Sequence, residues 1–481
     1  MSSAPQGILK LVEKFDLHRE EYLSGEYREE ELRGEFIDPF FHALGWDVAN
    51  TSNKGEAYKD LVREGLMKAG APDYLFRVGG TPKFYVEAKK PSVDVAGDPH
   101  SAHQLRSYAW TAKLPLGILT DFEEFAVYDC RIKPKEKDSS RIARRDYLTY
   151  REYAERWDWL SSVFSKDAIE KGQFDKYAGS EKGRGLATVD DEFLKDIEQW
   201  RDKLAHNIAN RNGRLTDQEL NDAVQSTINR ILFLRMAEDR GIEPFGKLQA
   251  LLNGTETYAR LRQFYRDADN RYNSGLFHFT AEKDRHTPPD TLTPRLEIDD
   301  KVLKEILQSL YYPSPYKFSV MPPDILGNVY EQFLGKVIHL TPGGQARVEE
   351  KPEVKKAGGV YYTPKYIVDY IVEQTVGRMI GNVGSGSQAG ADVPHQPQMT
   401  PKRVSKLRIL DPACGSGSFL VGAYRRLLDY HREWYVGDGP EKHPKELCKG
   451  PDGWLLTTAE KKRILLKNIF GVDIDRQAVE V

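Results

Sequence analysis

Apolar residues along this chain of 481 residues change their period several times. In REEELRGEFIDPFFHALGW (28–46), Leu32, Phe36, Ile37, Phe40, Phe41 and Leu44 recur at helical spacing. Pro39 is expected to kink or restart that helix. PDYLFRVGGTPKFYVEAKK (72–90) predicts two strands around the turn GGTP. HSAHQLRSYAWTAKL (100–114) returns to a helical pattern, and PLGILTDFEEFAVYDC (115–130) predicts two further strands. Residues 1–165 therefore mix helix and strand.

From 166 to 340 the pattern turns mostly helical. TDQELNDAVQSTINRILFLRMAEDRGI (216–242) opens on a capping box, Thr216 with Glu219, and Gly241 can end it. DILGNVYEQFLGKVI (324–338) predicts a second helix. Neither helix shows chemistry beyond packing, so this region is expected to be a connector. Residues 341–359 read as a polar loop, and TPKYIVDYIVEQTVGRMI (363–380) as a helix with Thr363 placed to cap it and Pro364 at its first position. The low-complexity stretch 381–401 reads as a loop. LRILDPACGSGSFLVGAYRRLLDY (407–430) then predicts strand, glycine turn and helix, and NIFGVDID (468–475) a buried strand ending in acids. The expected fold class is multidomain α/β, with regions at 1–165, 166–340 and 341–481.

Composition narrows this little. With 40% hydrophobic and 30% charged residues the chain reads as globular, and a formal net charge of −3 gives no global nucleic-acid signature. RIKPKEKDSSRIARR (131–145) is a local basic stretch whose simplest reading is a solvated loop. Cys130, Cys414 and Cys448 are far apart and form no CxxC pair, which excludes a disulfide framework or a cysteine zinc site as the organising principle. No apolar signal region or membrane-length run is read, so a cytoplasmic location is expected.

The first candidate site lies in FYVEAKKP (84–91). Alternation puts Glu87 and Lys89 on one face of a strand, and Asp73, at the mouth of the adjacent strand, can supply a second carboxylate. Phosphodiester cleavage needs a divalent metal, carboxylates to hold it, and a cation to orient water and spread negative charge. Mg2+ suits hard oxygen ligands and keeps waters available for attack. A surface Glu–Lys pair on an edge strand is the plain alternative, because short ExK strings are common by chance.

The ordering around it resembles the PD-(D/E)xK nuclease superfamily: a helix with Glu35, a strand with Asp73, a strand with Glu87 and Lys89, then a helix with Gln104 and Tyr108 matching a QxxxY element. The resemblance implies metal binding by Asp73 and Glu87, water orientation by Lys89, and an accessory acid at Glu35, with Glu31 one turn away.

The second candidate site is DPACGSGSF (411–419). A lone G-x-G is a weak signal, and no GK[ST] follows, which disfavours a nucleoside-triphosphate loop. The nine-residue string resembles motif I of amino-methyltransferases that modify adenine in DNA. GGVYYTPKYIVDYIV (358–372) resembles motif X, placed before motif I as in the gamma arrangement, and IFGVDID resembles motif II. The resemblance implies an S-adenosylmethionine site built from Thr363, Asp411, Pro412, Ala413, Gly415, Gly417, Phe419 and Asp473, with Asp473 rather than Asp475 on the ribose hydroxyls.

The (N/D)PP(Y/F) loop that holds a flipped base in this family is not found; MPPD (321–324) lies before motif X and lacks the amide and the aromatic. The chain stops soon after motif II, so the rest of the methyltransferase sheet and the target-reading part are expected elsewhere, and this stretch by itself is not expected to methylate. Nuclease, connector and gamma-type methyltransferase together resemble the single-chain type IIG/IIL, MmeI-like restriction–modification enzymes. The expected partner is double-stranded DNA, with self-association to cut both strands and no membrane. A phage-defence methyltransferase with an inactive nuclease-like DNA-binding module and a non-enzymatic recognition or assembly subunit are the alternatives.

Overall fold

The computed structural model describes residues 4–55, 58–63, 72–179, 188–213, 215–272, 274–281, 288–322, 325, 327, 335–351, 363, 365–381, 399–450 and 453–474. Packing groups the chain into two compact units, residues 1–195, 230–263 and 299–322 in the first, and 196–229, 264–298 and 323–481 in the second. The 166–340 stretch contributes to both of these units. Two of the divisions fall inside the helices Val189–Arg211 and Asp217–Asp239.

The first unit holds a six-stranded sheet in sequence order: β1 (Leu61–Arg63), β2 (Tyr74–Val78), β3 (Thr81–Ala88), β4 (Leu116–Thr120), β5 (Glu124–Asp129) and β6 (Arg144–Thr149). Neighbours are antiparallel except β3 and β4, which run parallel. A parallel pair needs a crossover, and the chain between them supplies a helix. The hairpin of β2 and β3 turns at Gly79 and Gly80, both at positive φ (57° and 82°), as a two-residue primed turn requires.

The helical run read over 28–46 is present but broken. Helix α1 (Glu29–Leu32) opens into a π-helical turn (Arg33–Ile37) before α2 (Asp38–Ala43). Pro39 has no N–H for the carbonyl four residues back, so the ladder widens by one residue and closes beyond it. This run covers one face of the sheet, where Phe36, Phe40, Phe41 and Trp46 pack on Phe76, Phe84, Val86 and Phe125. The crossover helix α3 (Pro99–Thr111) covers the other face, packing Leu105, Tyr108 and Ala109 on Tyr85, Leu119 and Tyr128. Asp98 caps α3 by accepting the His100 and Ser101 N–H groups, and Pro99 takes the first helical position.

The sequence pattern did not announce β1 or β6. The latter begins inside the basic stretch 131–145, and several of its cations are held within the unit. Arg131 pairs with Asp129 and Lys133 with Glu192, each at 2.5 Å, while Arg145 stacks 4.0 Å from the Tyr177 ring.

In the second unit the capping box forms as read: Thr216 N–H donates to Glu219 at 2.8 Å, and Glu219 N–H to the Thr216 hydroxyl at 3.2 Å. Most of the helix read at 324–338 lies outside the described residues, and its end is strand instead. β7 (Lys336–Leu340) pairs antiparallel with β8 (Ala346–Glu350), which also replaces part of the expected polar loop. Asn221 brackets Ile338 in that strand, donating to its carbonyl at 2.7 Å and accepting its N–H at 2.9 Å.

Helix α4 (Lys365–Val372) lies within the helix read at 363–380 and likewise passes into a π-helical turn (Glu373–Gly377). Pro364 and the 358–362 part of the motif X string lie outside the described residues. β9 (Ile409–Asp411) leads through the glycine turn to α5 (Ser418–Asp438), a hairpin follows in β10 (Leu447–Gly450) and β11 (Gly453–Leu456), and β12 (Ile469–Gly471) pairs parallel with β9. Helices α4 and α5 meet at Gly422, where a Cβ would lie 3.2 Å from Val368 and 3.3 Å from Val372.

Candidate active site

The β2–β3 register pairs Tyr74 with Val86, which sets Asp73 across from Glu87. Asp73 is held there by the Ala88 N–H, which donates to its Oδ2 at 2.6 Å. Glu87 alternates with Val86 and so shares the face of Tyr85, the face covered by α3. From α3, Gln104 Nε2 donates to Glu87 Oε1 at 2.9 Å, and Lys89 Nζ reaches the same oxygen at 2.5 Å. Four of the residues singled out, Asp73, Glu87, Lys89 and Gln104, thus come together. Tyr108, one turn along α3, is buried in the core with Tyr85.

Glu35 does not join them. Its carboxylate is half-exposed and pairs with Lys14 at 2.9 Å, and Glu31 bonds Arg28 instead. The π-helical turn re-phases the helix, and it is Arg33 that reaches Asp73 (2.7 Å) while also holding Glu29 (2.5 Å). Arg33 and Glu29 are the site residues the sequence reading missed. The run REEELRGEF offers four acids, and only the helical phase selects among them.

Both carboxyls sit above their ordinary range. Burial is the main cause for Asp73, opposed by Arg33 and the Ala88 N–H. For Glu87 it is burial followed by the neighbouring Asp73 charge, opposed by Lys89. Lys89 is raised despite its burial, because the Glu87 carboxylate beside it favours the ammonium.

Glu87 is 3% exposed, and its buried Oε2 has no hydrogen-bond partner among the described residues. An orphaned carboxylate oxygen, on a residue paired across the hairpin with a second carboxylate, fits a hard divalent cation. Among the described residues no group of three or more His, Cys, Asp or Glu side chains is arranged to hold a metal. Two carboxylates with water completing the shell suit Mg2+ and not a dedicated all-protein cage. A separate cavity of about 420 Å³, lined by Trp110, Leu114, Cys130 and Val189, shares none of these acids.

In the second unit, Gly415 and Gly417 adopt positive φ (51° and 82°), which a side chain would oppose, between β9 and the N-terminus of α5. Asp411 ends β9 and accepts the Ala413 N–H at 3.1 Å. Asp473 follows β12 and accepts the Gly415 N–H at 2.8 Å, so the strand pairing brings the second acid onto the glycine turn. A Cβ on Gly417 would meet nothing within 4 Å, leaving open space beside the turn. Pro412 and Ala413 are exposed, Phe419 is half-buried with its ring against the core, and Thr363 is half-exposed just before α4. The open turn, helix N-terminus and following acid fit the polar parts of a nucleoside cofactor. Asp475 lies outside the described residues.

Comparison with known proteins bears out the resemblance to restriction–modification enzymes. Residues 389–481 match the family model of the MmeI DNA-methyltransferase domain, and residues 66–136 that of the type I restriction enzyme R protein N terminus. The chain is 32% identical over 481 residues to the type II restriction enzyme and methyltransferase RM.Eco57I of Escherichia coli, covering 98% of this chain and 45% of that protein. It therefore spans less than half the length of that relative. Two solved structures also align at 13% identity. One is the type IIG restriction endonuclease BpuSI (92% of this chain, 42% of that one, TM-score 0.21); the other is a DrdV–DNA complex (89% and 39%, TM-score 0.22). No helix among the described residues is long and apolar enough to cross a membrane.

Proposed function

We propose, for a chain related along nearly all its length to a bifunctional type II restriction enzyme and methyltransferase, that residues 1–165 are its PD-(D/E)xK endonuclease module. On this reading residues 166–340 connect it to the S-adenosylmethionine-binding start of a gamma-class, Rossmann-like adenine methyltransferase at 341–481. The protein would cleave double-stranded DNA as part of restriction–modification, with two copies paired to cut both strands. The observation that carries the nuclease reading is the buried pair Asp73 and Glu87, the latter with one orphaned oxygen, beside a lysine held by that same carboxylate.

Asp73 and Glu87 would hold Mg2+, which when bound supplies charge neutralisation at the scissile phosphate. Lys89 orients the attacking water and stabilises the negative charge that builds on the phosphate oxygens. Gln104 fixes the rotamer of Glu87, and the Ala88 N–H and Arg33 fix Asp73. In the second unit Asp473 would accept the ribose hydroxyls of S-adenosylmethionine, which when bound supplies the methyl group. The glycine turn lets backbone approach it closely. The test is Lys89→Ala in the full-length protein, assayed for Mg2+-dependent cleavage of duplex DNA. A loss of at least a hundredfold is expected; undiminished cutting would overturn the assignment.

A further inference from the structure

A segment remote in sequence, residues 310–318, lies against α3 within the same compact unit as the nuclease sheet. It is fixed at several points. Thr111 Oγ1, at the end of α3, donates to the Pro315 carbonyl at 3.1 Å and accepts the Lys317 N–H at 3.2 Å. From the other side, the buried Arg235 donates to the Leu310 carbonyl at 3.1 Å and stacks 4.3 Å from the Tyr311 ring. Asp239 accepts the Phe318 N–H at 3.0 Å while paired with Arg235 at 2.5 Å. Backbone bonds flanking Lys317 on both sides leave its side chain little choice of direction.

That side chain lies along α3. Its ammonium sits 5.3 Å from the centre of the Tyr108 ring, one helical turn from Gln104, the residue that holds Glu87. Among the described residues no carboxylate lies within ion-pair distance of it. Asp239 is engaged by Arg235 and the Phe318 N–H. Burial holds the ammonium below its usual value, with Arg235 adding to that shift and the carboxylates of Asp239 and, less strongly, Glu87 acting against it. The ammonium is not sealed off from solvent, so an anion can reach it, and an anion there would complete a cation that rests on an aromatic face.

We propose that Lys317 is a further cation of the nuclease site, beside Lys89 and Arg33, supplied by the 310–318 segment to bind a phosphate of the DNA backbone next to the one that is cut. This inference rests on the nuclease reading above. It assigns Lys317 to substrate binding, and it gives the residues beyond the nuclease sheet a part in its active site.

The test compares Lys317→Met, which keeps the apolar stem over Tyr108, with Lys317→Arg, both in the full-length protein. Equilibrium binding to a fluorescent mixed-sequence duplex is measured across a range of salt concentrations with Ca2+ in place of Mg2+, and single-turnover cleavage is measured with Mg2+. Loss of one phosphate contact should make the slope of log K against log salt shallower by about 0.9 in Lys317→Met. Its cleavage rate should fall about tenfold or more at constant melting temperature, and Lys317→Arg should restore both readouts in part. A wild-type salt slope in Lys317→Met would overturn the inference, as would a loss of binding that Lys317→Arg does not relieve. Lys89→Ala measured alongside separates the two readings. If that variant cuts normally, the nuclease assignment fails while the salt slope still decides whether Lys317 contacts DNA.

Discussion

Replacing Gln104 by leucine isolates what holds Glu87, the proposed metal ligand, in place. Gln104 Nε2 donates to Glu87 Oε1 at 2.9 Å, the acceptor is 3% exposed, and the donor lies on a helix that also packs the core. A hydrogen bond to a buried charged acceptor is worth about 1.5–3 kcal/mol. Leucine keeps most of the volume but removes the donor, so Oε1 retains only Lys89 and the carboxylate is free to rotate about its last bond. Loss of a group that orients a metal ligand typically lowers metal affinity by about 10–100-fold. The expected result is a rise of that size in the Mg2+ concentration giving half-maximal single-turnover cleavage, with a near-normal rate at saturating metal. Gln104→Glu should be worse, because it sets a second carboxylate against Glu87. The assay is a Mg2+ titration of cleavage in the full-length protein, with melting temperature as the folding control. An unchanged Mg2+ midpoint in Gln104→Leu would refute the reasoning that Glu87 is a metal ligand held from α3.

Two further outcomes follow from the geometry. Asp60 is buried, with Lys54 at 2.6 Å and Lys166 at 2.9 Å from its oxygens. Burial alone would raise its carboxyl, but the hydrogen bonds from the two lysines outweigh it and hold it below the ordinary value. A carboxyl depressed in the folded state stabilises above its unfolded value of about 3.9 and loses that contribution as pH falls further. Because both lysines can re-solvate, Asp60→Asn should cost about 2 kcal/mol at neutral pH, below the 3–5 kcal/mol of a fully buried pair. Urea unfolding should show that difference shrinking below about pH 4, and a pH-independent difference would count against the assignment. In the second unit, Asp473→Ala should weaken S-adenosylmethionine binding at least about tenfold, or 1.4 kcal/mol, in calorimetric titration of the full-length protein. Wild-type affinity would remove Asp473 from the cofactor site.

How much of the fold is legible in the sequence depends on which interactions are local. The β2–β3 hairpin was legible because two positive-φ glycines, strand alternation and a PD step lie within twenty residues, and these set Asp73 against Glu87 through a short register. The same locality made the glycine turn after β9 legible. Asp473 was reached through the motif resemblance, since the β9–β12 pairing that brings it to Gly415 spans nearly sixty residues. Where the sequence reading fell short, the cause was packing at a distance. β7 was read as the end of a helix because Val337 and Ile338 fit either period, and only Asn221 and β8 decide for strand.

The accessory acid shows the limit most sharply. Glu29, Glu30, Glu31 and Glu35 stand within seven positions, and a straight helix would turn each of them at a fixed 100° per residue. The π-helical turn forced ahead of Pro39 adds one residue to the ladder. Extrapolating from the apolar face beyond the turn therefore misplaces every residue before it. Arg33 and Glu29 face Asp73 as a result, while Glu35 turns to Lys14. The cluster then sets three carboxyls, Asp73, Glu87 and Glu29, against two cations, Arg33 and Lys89, and among the described residues Glu87 Oε2 is its one buried acceptor without a partner, as Arg33 Nε is its one buried donor. A site poised this way favours a cation at that one oxygen. The acid and base of FYVEAKKP stand together through one oxygen: the lysine steadies the carboxylate at Oε1 and leaves Oε2 open, which is where the proposed metal would bind.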